Sequence, residues 1–299
     1  MKKWIVDIKN FSNYLRIEKG MTQNTISAYQ NDVEKLKDFA VPRNKTSEQL
    51  NSDDLTIFIN SLYDLGLSAR SQARIISGIK HFYEFLILEE EVKNDPSELI
   101  TPPKIGQKLP VFLTIEEIDK LQEAIDLSKP EGHRNKAIIE TLYSCGLRVS
   151  ELVNLKFSNL FFDEGFIRII GKGNKERLVP VSKSVEKEIS FYADGVRKDL
   201  NIQKGHEDFV FLNRRGKQLT RVMIFTIIKN LAKEIGIEKN ISPHTFRHSF
   251  ATHLIEGGAN LRAIQEMLGH ESITTTEIYT HLDMGYLRDA IISYHPRNS

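Results

Sequence analysis

The chain is short of almost every feature that announces a function by composition. It has one cysteine in 299 residues, Cys145. A single thiol forms no internal disulfide and no multi-cysteine metal framework, which excludes a disulfide-stapled module and fits a reducing cytosol. Long hydrophobic runs are missing too: uninterrupted apolar stretches are only a few residues long, against the ~20 needed to span a bilayer. The start, Met1 to Asp7, carries charge and no apolar segment, so no secretory leader is read and a cytoplasmic location is expected. Charge of one sign is also absent, with 41 Lys plus Arg against 40 Asp plus Glu, a net of +1. The total therefore argues for no partner at all, and a claim to bind a polyanion has to come from local charge.

What is present is ordinary globular material. Hydrophobic residues make up 40% and charged residues 27%, which argues against wholesale disorder. At roughly 150 residues per domain the length predicts two domains. The chain itself divides unequally. Trp4, Ile5, Ile8, Phe11 and Leu15 recur at helical steps, as do Ile26, Tyr29, Val33, Leu36 and Phe39. Leu55, Phe58, Ile59 and Leu62 follow Ser52 as a candidate cap, and Ile76, Ile79, Tyr83 and Leu86 make a fourth stripe. Four amphipathic helices over 1–100 predict a small bundle. Residues 101–110 hold three prolines and a glycine, which breaks both helix and central strand and marks a linker.

Residues 111–299 predict a second domain, mostly helical with a small hairpin, so the fold class is mainly α (α+β). Thr114 to Glu117 is a capping box opening a helix, and Gly146 is a candidate left-handed stop for the helix around 135–144. Gly165 to Ile170 and Arg177 to Val181 flank a glycine-rich turn and predict two paired strands. Helical patterns return near 183–200 and 221–235. Ser242-Pro243 opens another helix that stops at Gly257-Gly258, and short helices are expected near 260–268, 272–281 and 284–292.

Six residues of this second domain suit phosphodiester chemistry: Arg148, Lys172, His244, Arg247, His270 and Tyr279. Arginine donates two parallel hydrogen bonds to phosphate oxygens and keeps its charge at working pH. Lysine releases a proton once neighbouring cations lower its pKa. A phenol with an ordinary pKa near ~10 needs a base or a cationic pocket before it attacks. His244 and Arg247 stand at i and i+3, on one helical face. These residues include no acidic cluster with magnesium spacing. Position 245 is Thr, so the His-Glu-x-x-His zinc pattern is absent, and His248 and His253 read as packed or hydrogen-bonded histidines. No metal and no cofactor are expected.

Gly146-Leu-Arg-Val-Ser-Glu-Leu152, Gly171-Lys-Gly-Asn-Lys-Glu-Arg177, His244-Thr-Phe-Arg-His248, Leu268-Gly-His270 and Tyr279-Thr-His281 together resemble the tyrosine recombinase family, and within it the Xer recombinases. The resemblance runs along nearly the whole chain. It implies a four-helix, SAM-like DNA clamp followed by a catalytic domain. It further implies that Tyr279 attacks the scissile phosphate and forms a 3′-phosphotyrosyl link. Arg148 and Arg247 would clamp the nonbridging oxygens, and His270 would add a donor. Lys172 would protonate the leaving 5′ oxygen, and His244 would assist proton transfer from the tyrosine. Glu151 would be the supporting carboxylate. Because the covalent bond stores the phosphodiester energy, rejoining would need neither ATP nor metal. The implied partners are a double-stranded DNA recombination site, a cyclic tetramer formed on it, a possible paralogous recombinase and an FtsK-type DNA translocase. The implied role is resolution of chromosome dimers at cell division.

Local charge agrees with a polyanion. Residues 166–221 hold 13 basic and seven acidic side chains, an excess of six. Arg168, Lys175 and Arg177, with Arg214, Arg215 and Lys217, are expected backbone contacts. Arg70, Arg74, Ser77 and His81 recur on the polar face of one helix and form the expected contact face of the first domain. Leu287, Ile291 and Ile292 form a stripe near the end that packs on its own domain or, by the resemblance, docks into a neighbouring protomer. Three alternatives share part of this pattern: a phage or mobile-element integrase, a type IB topoisomerase, and a DNA-binding protein without catalysis.

Overall fold

A computed structural model describes residues 1–106, 111–171, 175–269 and 281–298, the side chains of 281–284 and 298 excepted. The backbone divides into two compact units, 1–108 and 109–299.

The first unit is built from α1 (Lys2–Ile17), α2 (Gln23–Ala40), α3 (Ser52–Asp64) and α4 (Ala69–Leu88). Trp4, Phe11, Val33, Leu36, Leu55 and Phe82 are fully buried where the four apolar stripes meet. Phe11 and Phe82 meet edge to face at 5.3 Å, the arrangement the ring quadrupoles favour. Thr22 and Ser68 cap α2 and α4. The cap of α3 is Asn51 rather than Ser52: its side chain accepts from the Asp54 amide at 2.9 Å, while Asp54 accepts from the Asn51 amide at 3.0 Å. Asn and Ser are near equals as caps, and here the reciprocal carboxylate three residues on decides between neighbours.

In the second unit α5 (Ile115–Glu123) starts at the Thr114 capping box. It leads to α6 (Gly132–Ser144), whose Ala137, Ile138, Ile139, Leu142 and Tyr143 are wholly buried. This is the central helix of the unit. Cys145 follows it in the core, and burial pushes its thiol well above the ordinary range, which leaves it an inert apolar filler. Gly146 turns the chain at φ +57, and a Cβ there would lie 2.5 Å from the Phe250 ring, so only glycine fits this corner. A short helix, α7 (Val149–Val153), comes next.

The sheet has three antiparallel strands in the order β1 (Leu160–Phe161), β2 (Phe166–Ile170), β3 (Glu176–Pro180). The hairpin pairs Ile169 with Arg177 and Ile167 with Val179. The two-residue β1 is too short to carry a period-two pattern, so the sequence shows only β2 and β3. Beyond the sheet lie α8 (Lys183–Tyr192), α9 (Arg221–Glu234), α10 (Pro243–Gly257), α11 (Leu261–Leu268) and α12 (His281–Tyr294). The pattern near 183–200 leaves α8 early, through a wide turn at Ala193–Arg197 in which Gly195 is non-helical. Ser242 and Pro243 open α10, and Gly258 closes it at φ +102. Leu287, Ala290 and Ile291 of α12 are buried with Phe250, Leu254 and Ile264 of α10 and α11, so this stripe packs on its own unit, while Ile292 is exposed. The helix expected near 272–281 falls almost wholly outside the described residues.

Candidate active site

Arg148 and Arg247 lie 99 positions apart in sequence and converge at the corner after α6. Arg148 stands at the entrance to α7, and Arg247 projects from the first half of α10. The Arg247 Nη1 group donates to the Gly146 carbonyl at 2.8 Å, two residues before Arg148. Arg247 is buried, whereas the Arg148 side chain is 42% exposed. One arginine is thus held inside the framework and the other reaches the surface. Burial, with Arg148 and Arg177 close by, draws the Arg247 guanidinium down to about 10, and it stays charged at neutral pH.

Glu151 organises this corner. Its carboxylate is almost fully buried and accepts four hydrogen bonds, each at 2.8 Å. Oε1 takes Arg148 Nη1 and Arg177 Nη1, and Oε2 takes the Arg148 backbone amide and Arg177 Nη2. Those four bonds match the lone-pair capacity of a carboxylate. Burial alone would raise its pKa, but Arg177 and then Arg148 outweigh burial and hold Glu151 below the usual carboxylate range.

The end of α11 is tied to the same cluster. Arg177 Nε donates to the Met267 carbonyl at 2.7 Å, Arg247 Nη2 to the Leu268 carbonyl, and Arg148 Nη2 to the Gly269 carbonyl at 3.2 Å. Three successive carbonyls at a helix C-terminus, its negative end, are met by three different arginines. Gly269 makes this possible. Its φ is +65, and a Cβ on it would stand 3.1 Å from Arg177 Cδ. His270 is the next residue in the chain.

His244 is exposed on α10, with Arg247 buried one turn later. Lys172, His270 and Tyr279 lie outside the described residues. His253 is buried and its Nδ1 pairs with the Tyr143 hydroxyl at 2.8 Å, while His248 is half-buried. Among the described residues, no group of three or more His, Cys, Asp or Glu side chains could hold a metal ion.

The expected backbone contacts separate into kinds. Lys175, Arg215 and Lys217 are exposed. Arg214 is also exposed and pairs with Glu131. Arg168 is braced by two bonds to Asn159 Oδ1, at 3.0 and 2.9 Å. Arg177 departs from the expectation: its side chain is only 6% exposed and is committed to Glu151 and Met267. It shares the inward face of β3 with Val179, and that alternation was the available signal in the sequence. In the first unit Arg70 and Ser77 are exposed on α4. Arg74 pairs with the buried Asp32, and His81 bonds Glu84 at 2.9 Å while its ring lies on Tyr29.

Comparison with known proteins gives a consistent picture. The phage integrase family matches residues 111–285, and the phage integrase N-terminal SAM-like domain matches residues 8–90. The chain is 43% identical over 292 residues to a protein of Oceanobacillus iheyensis named tyrosine recombinase XerD, covering 97% of this chain and 98% of that one. A protein of the same name from Chlorobaculum tepidum is 43% identical over 297 residues, covering 98% and 97%. Among solved structures, the XerH site-specific recombinase bound to a palindromic difH substrate in a post-cleavage complex is 26% identical with a TM-score of 0.69, covering 89% of this chain and 79% of that one. No helix among the described residues is long and apolar enough to cross a membrane.

Proposed function

The chain belongs to the phage integrase family and is a tyrosine recombinase, an enzyme that breaks and rejoins DNA strands, and on that premise we propose that it recombines duplex DNA at a specific site through Tyr279. The observation that carries the reading is the gathering of Arg148 and Arg247 around Glu151 and the end of α11. Both guanidiniums are fixed by framework bonds that leave further N–H groups for a phosphate. Charge held in place before reaction stabilises a pentacovalent phosphate without reorganisation. Arg148, being half exposed, meets a nonbridging oxygen first, and Arg247 supports it from inside.

The remaining roles follow the family chemistry. Tyr279 attacks phosphorus, forms the 3′-phosphotyrosyl bond and displaces the 5′ oxygen, which Lys172 protonates. His244 takes part in moving the tyrosine proton, and His270 adds a donor to the phosphate. Attack of a 5′ hydroxyl on the phosphotyrosyl bond reverses these steps on a new partner strand. Neither ATP nor metal enters this balance.

The biological reading is resolution of chromosome dimers at cell division in the cytoplasm. Four protomers would act on two duplexes, with a paralogous recombinase and an FtsK-type translocase as partners. The near full-length likeness to proteins named XerD supports it. The first unit would grip DNA through Arg70 and Ser77 on α4, with Lys175 of the hairpin turn contacting the backbone from the second.

The test uses nicked suicide duplexes built on the chromosomal segment that the protein binds most tightly. A slow-migrating covalent adduct on a denaturing gel is expected with wild type and absent with Tyr279→Phe, although the variant still binds. Wild-type protein that binds this DNA under activating conditions and never forms the adduct would sink the assignment.

A further inference from the structure

We propose that Arg177 is a positioning residue for strand cleavage, sharing Glu151 with Arg148 so that the Arg148 guanidinium remains turned toward the phosphate. The inference rests on the reading of the chain as a recombinase acting through Tyr279.

Glu151 is a buried carboxylate four bonds deep in donors, and the two Arg177 bonds are half of them. Arg177 approaches with its planar fork, one nitrogen on each oxygen. Such a bidentate pair is the strongest way to neutralise a carboxylate. Arg148 gives the carboxylate only Nη1 and its backbone amide, and Nη2 goes to the Gly269 carbonyl. The division matters chemically. A buried carboxylate with no fork from Arg177 would either take up a proton or draw the whole Arg148 fork onto itself. In the second case Arg148 would no longer face the scissile phosphate.

Arg177 also joins three segments that carry the chemistry. It lies on β3, five positions after Lys172 in the sequence. Through Glu151 it holds the start of α7, and through the Met267 carbonyl it holds the end of α11, three residues before His270. Gly269 lets its aliphatic stem pass at close contact. Among the described residues the charged groups facing Glu151 are Arg148 from α7, Arg177 from β3 and Arg247 from α10. Only Arg177 is both buried and bidentate on the carboxylate.

The experiment compares full-length wild type, Arg177→Met and Arg177→Lys on the nicked suicide duplexes, measuring adduct formation in single turnover and DNA affinity by gel shift. Arg177→Met is expected to slow adduct formation by about 10- to 100-fold, the usual size of a lost supporting contact. Its DNA affinity should stay within about threefold of wild type, since no phosphate contact is removed. Arg177→Lys should recover part of the rate, because an ammonium restores the charge but not the fork.

The pH profile separates positioning from general support. Without Arg177, burial raises the Glu151 carboxyl, so the Arg177→Met rate should fall further as pH is lowered from about 8 to 6, beyond any change in wild type or Arg177→Lys. Wild-type cleavage by Arg177→Met, or a loss of affinity that matches the loss of rate, overturns the inference. A profile for Arg177→Met parallel to wild type overturns it as well. Should Arg177→Met fail to fold, Arg177→Lys decides: slower cleavage at unchanged affinity supports the role, and wild-type cleavage overturns it. If wild type itself forms no adduct on DNA that it binds, the proposed function falls and this inference falls with it.

Discussion

Each unit buries a carboxylate against an arginine, and the two pairs are built in opposite ways. In the first unit Asp32 is wholly buried on α2 and meets the half-exposed Arg74 through one oxygen, Oδ2. Its other oxygen, Oδ1, has no hydrogen bond and only a distant Lys35 at 3.9 Å. Burial wins over Arg74, and the Asp32 carboxyl rises above the ordinary value. In the second unit Glu151 is equally hidden but accepts four hydrogen bonds, and its carboxyl falls below the ordinary value. A buried carboxylate is therefore a fixed charge only when every lone pair has a donor. A site that stabilises a developing phosphate charge needs the second kind. The Asp32–Arg74 pair, which ties α2 to α4, is of the first kind.

The comparison breaks most visibly if Glu151 is removed. Glu151→Ala leaves Arg177 buried without its carboxylate, and a loss of about 3–5 kcal/mol in unfolding free energy is expected by chemical denaturation. Cleavage should be lost along with it. Gly269→Ala comes next. It adds a Cβ at positive φ and against Arg177 Cδ, so about 1–2 kcal/mol of stability should go, with slower adduct formation. A thermal shift with unchanged cleavage would show that the Gly269–Arg177 contact is dispensable to the site.

Asp32→Asn is the smallest and most discriminating change. It keeps an acceptor for Arg74 and removes a charge that burial disfavours, so stability at neutral pH should move by no more than about 1 kcal/mol. The sign with pH is definite. Because the Asp32 carboxyl is raised in the folded protein, its contribution is fully present below the unfolded pKa and is lost as pH rises through the folded one. Asp32→Asn should thus gain on wild type as pH rises through the carboxylate range. Glu151 runs the other way. Its lowered carboxyl contributes above the unfolded pKa, and that contribution is lost as pH falls through the folded one. Urea denaturation of wild type, Asp32→Asn and Glu151→Gln from pH 3 to 8 checks both signs, and parallel curves would refute the contrast.

Much of the architecture was legible along the chain. The four helical stripes of the first unit, the capping box at Thr114, the Ser242-Pro243 start and the glycine stops at 146 and 258 depend on neighbours within a few residues. The three-stranded sheet was only partly legible, since β1 exists by pairing with β2 and has no pattern of its own. A basic residue beside a glycine-rich turn looks solvated in the sequence, yet Arg177 is buried. Its partners are 26 and 90 positions away. Arg74 lies on the polar side of α4, but its tether to Asp32 joins two helices and leaves no mark in either stripe.

The long helices and the residue types that could handle a phosphate are written in the chain, because helix periodicity, caps and side-chain chemistry are local properties. Tertiary structure alone decided which charges are fixed. Glu151 stays ionised because β3 and the entrance to α7 bring donors to both of its oxygens, whereas Asp32 is buried with one oxygen unmet. The free energy of a buried charge depends on donors assembled from distant parts of the chain, and only folding brings them together.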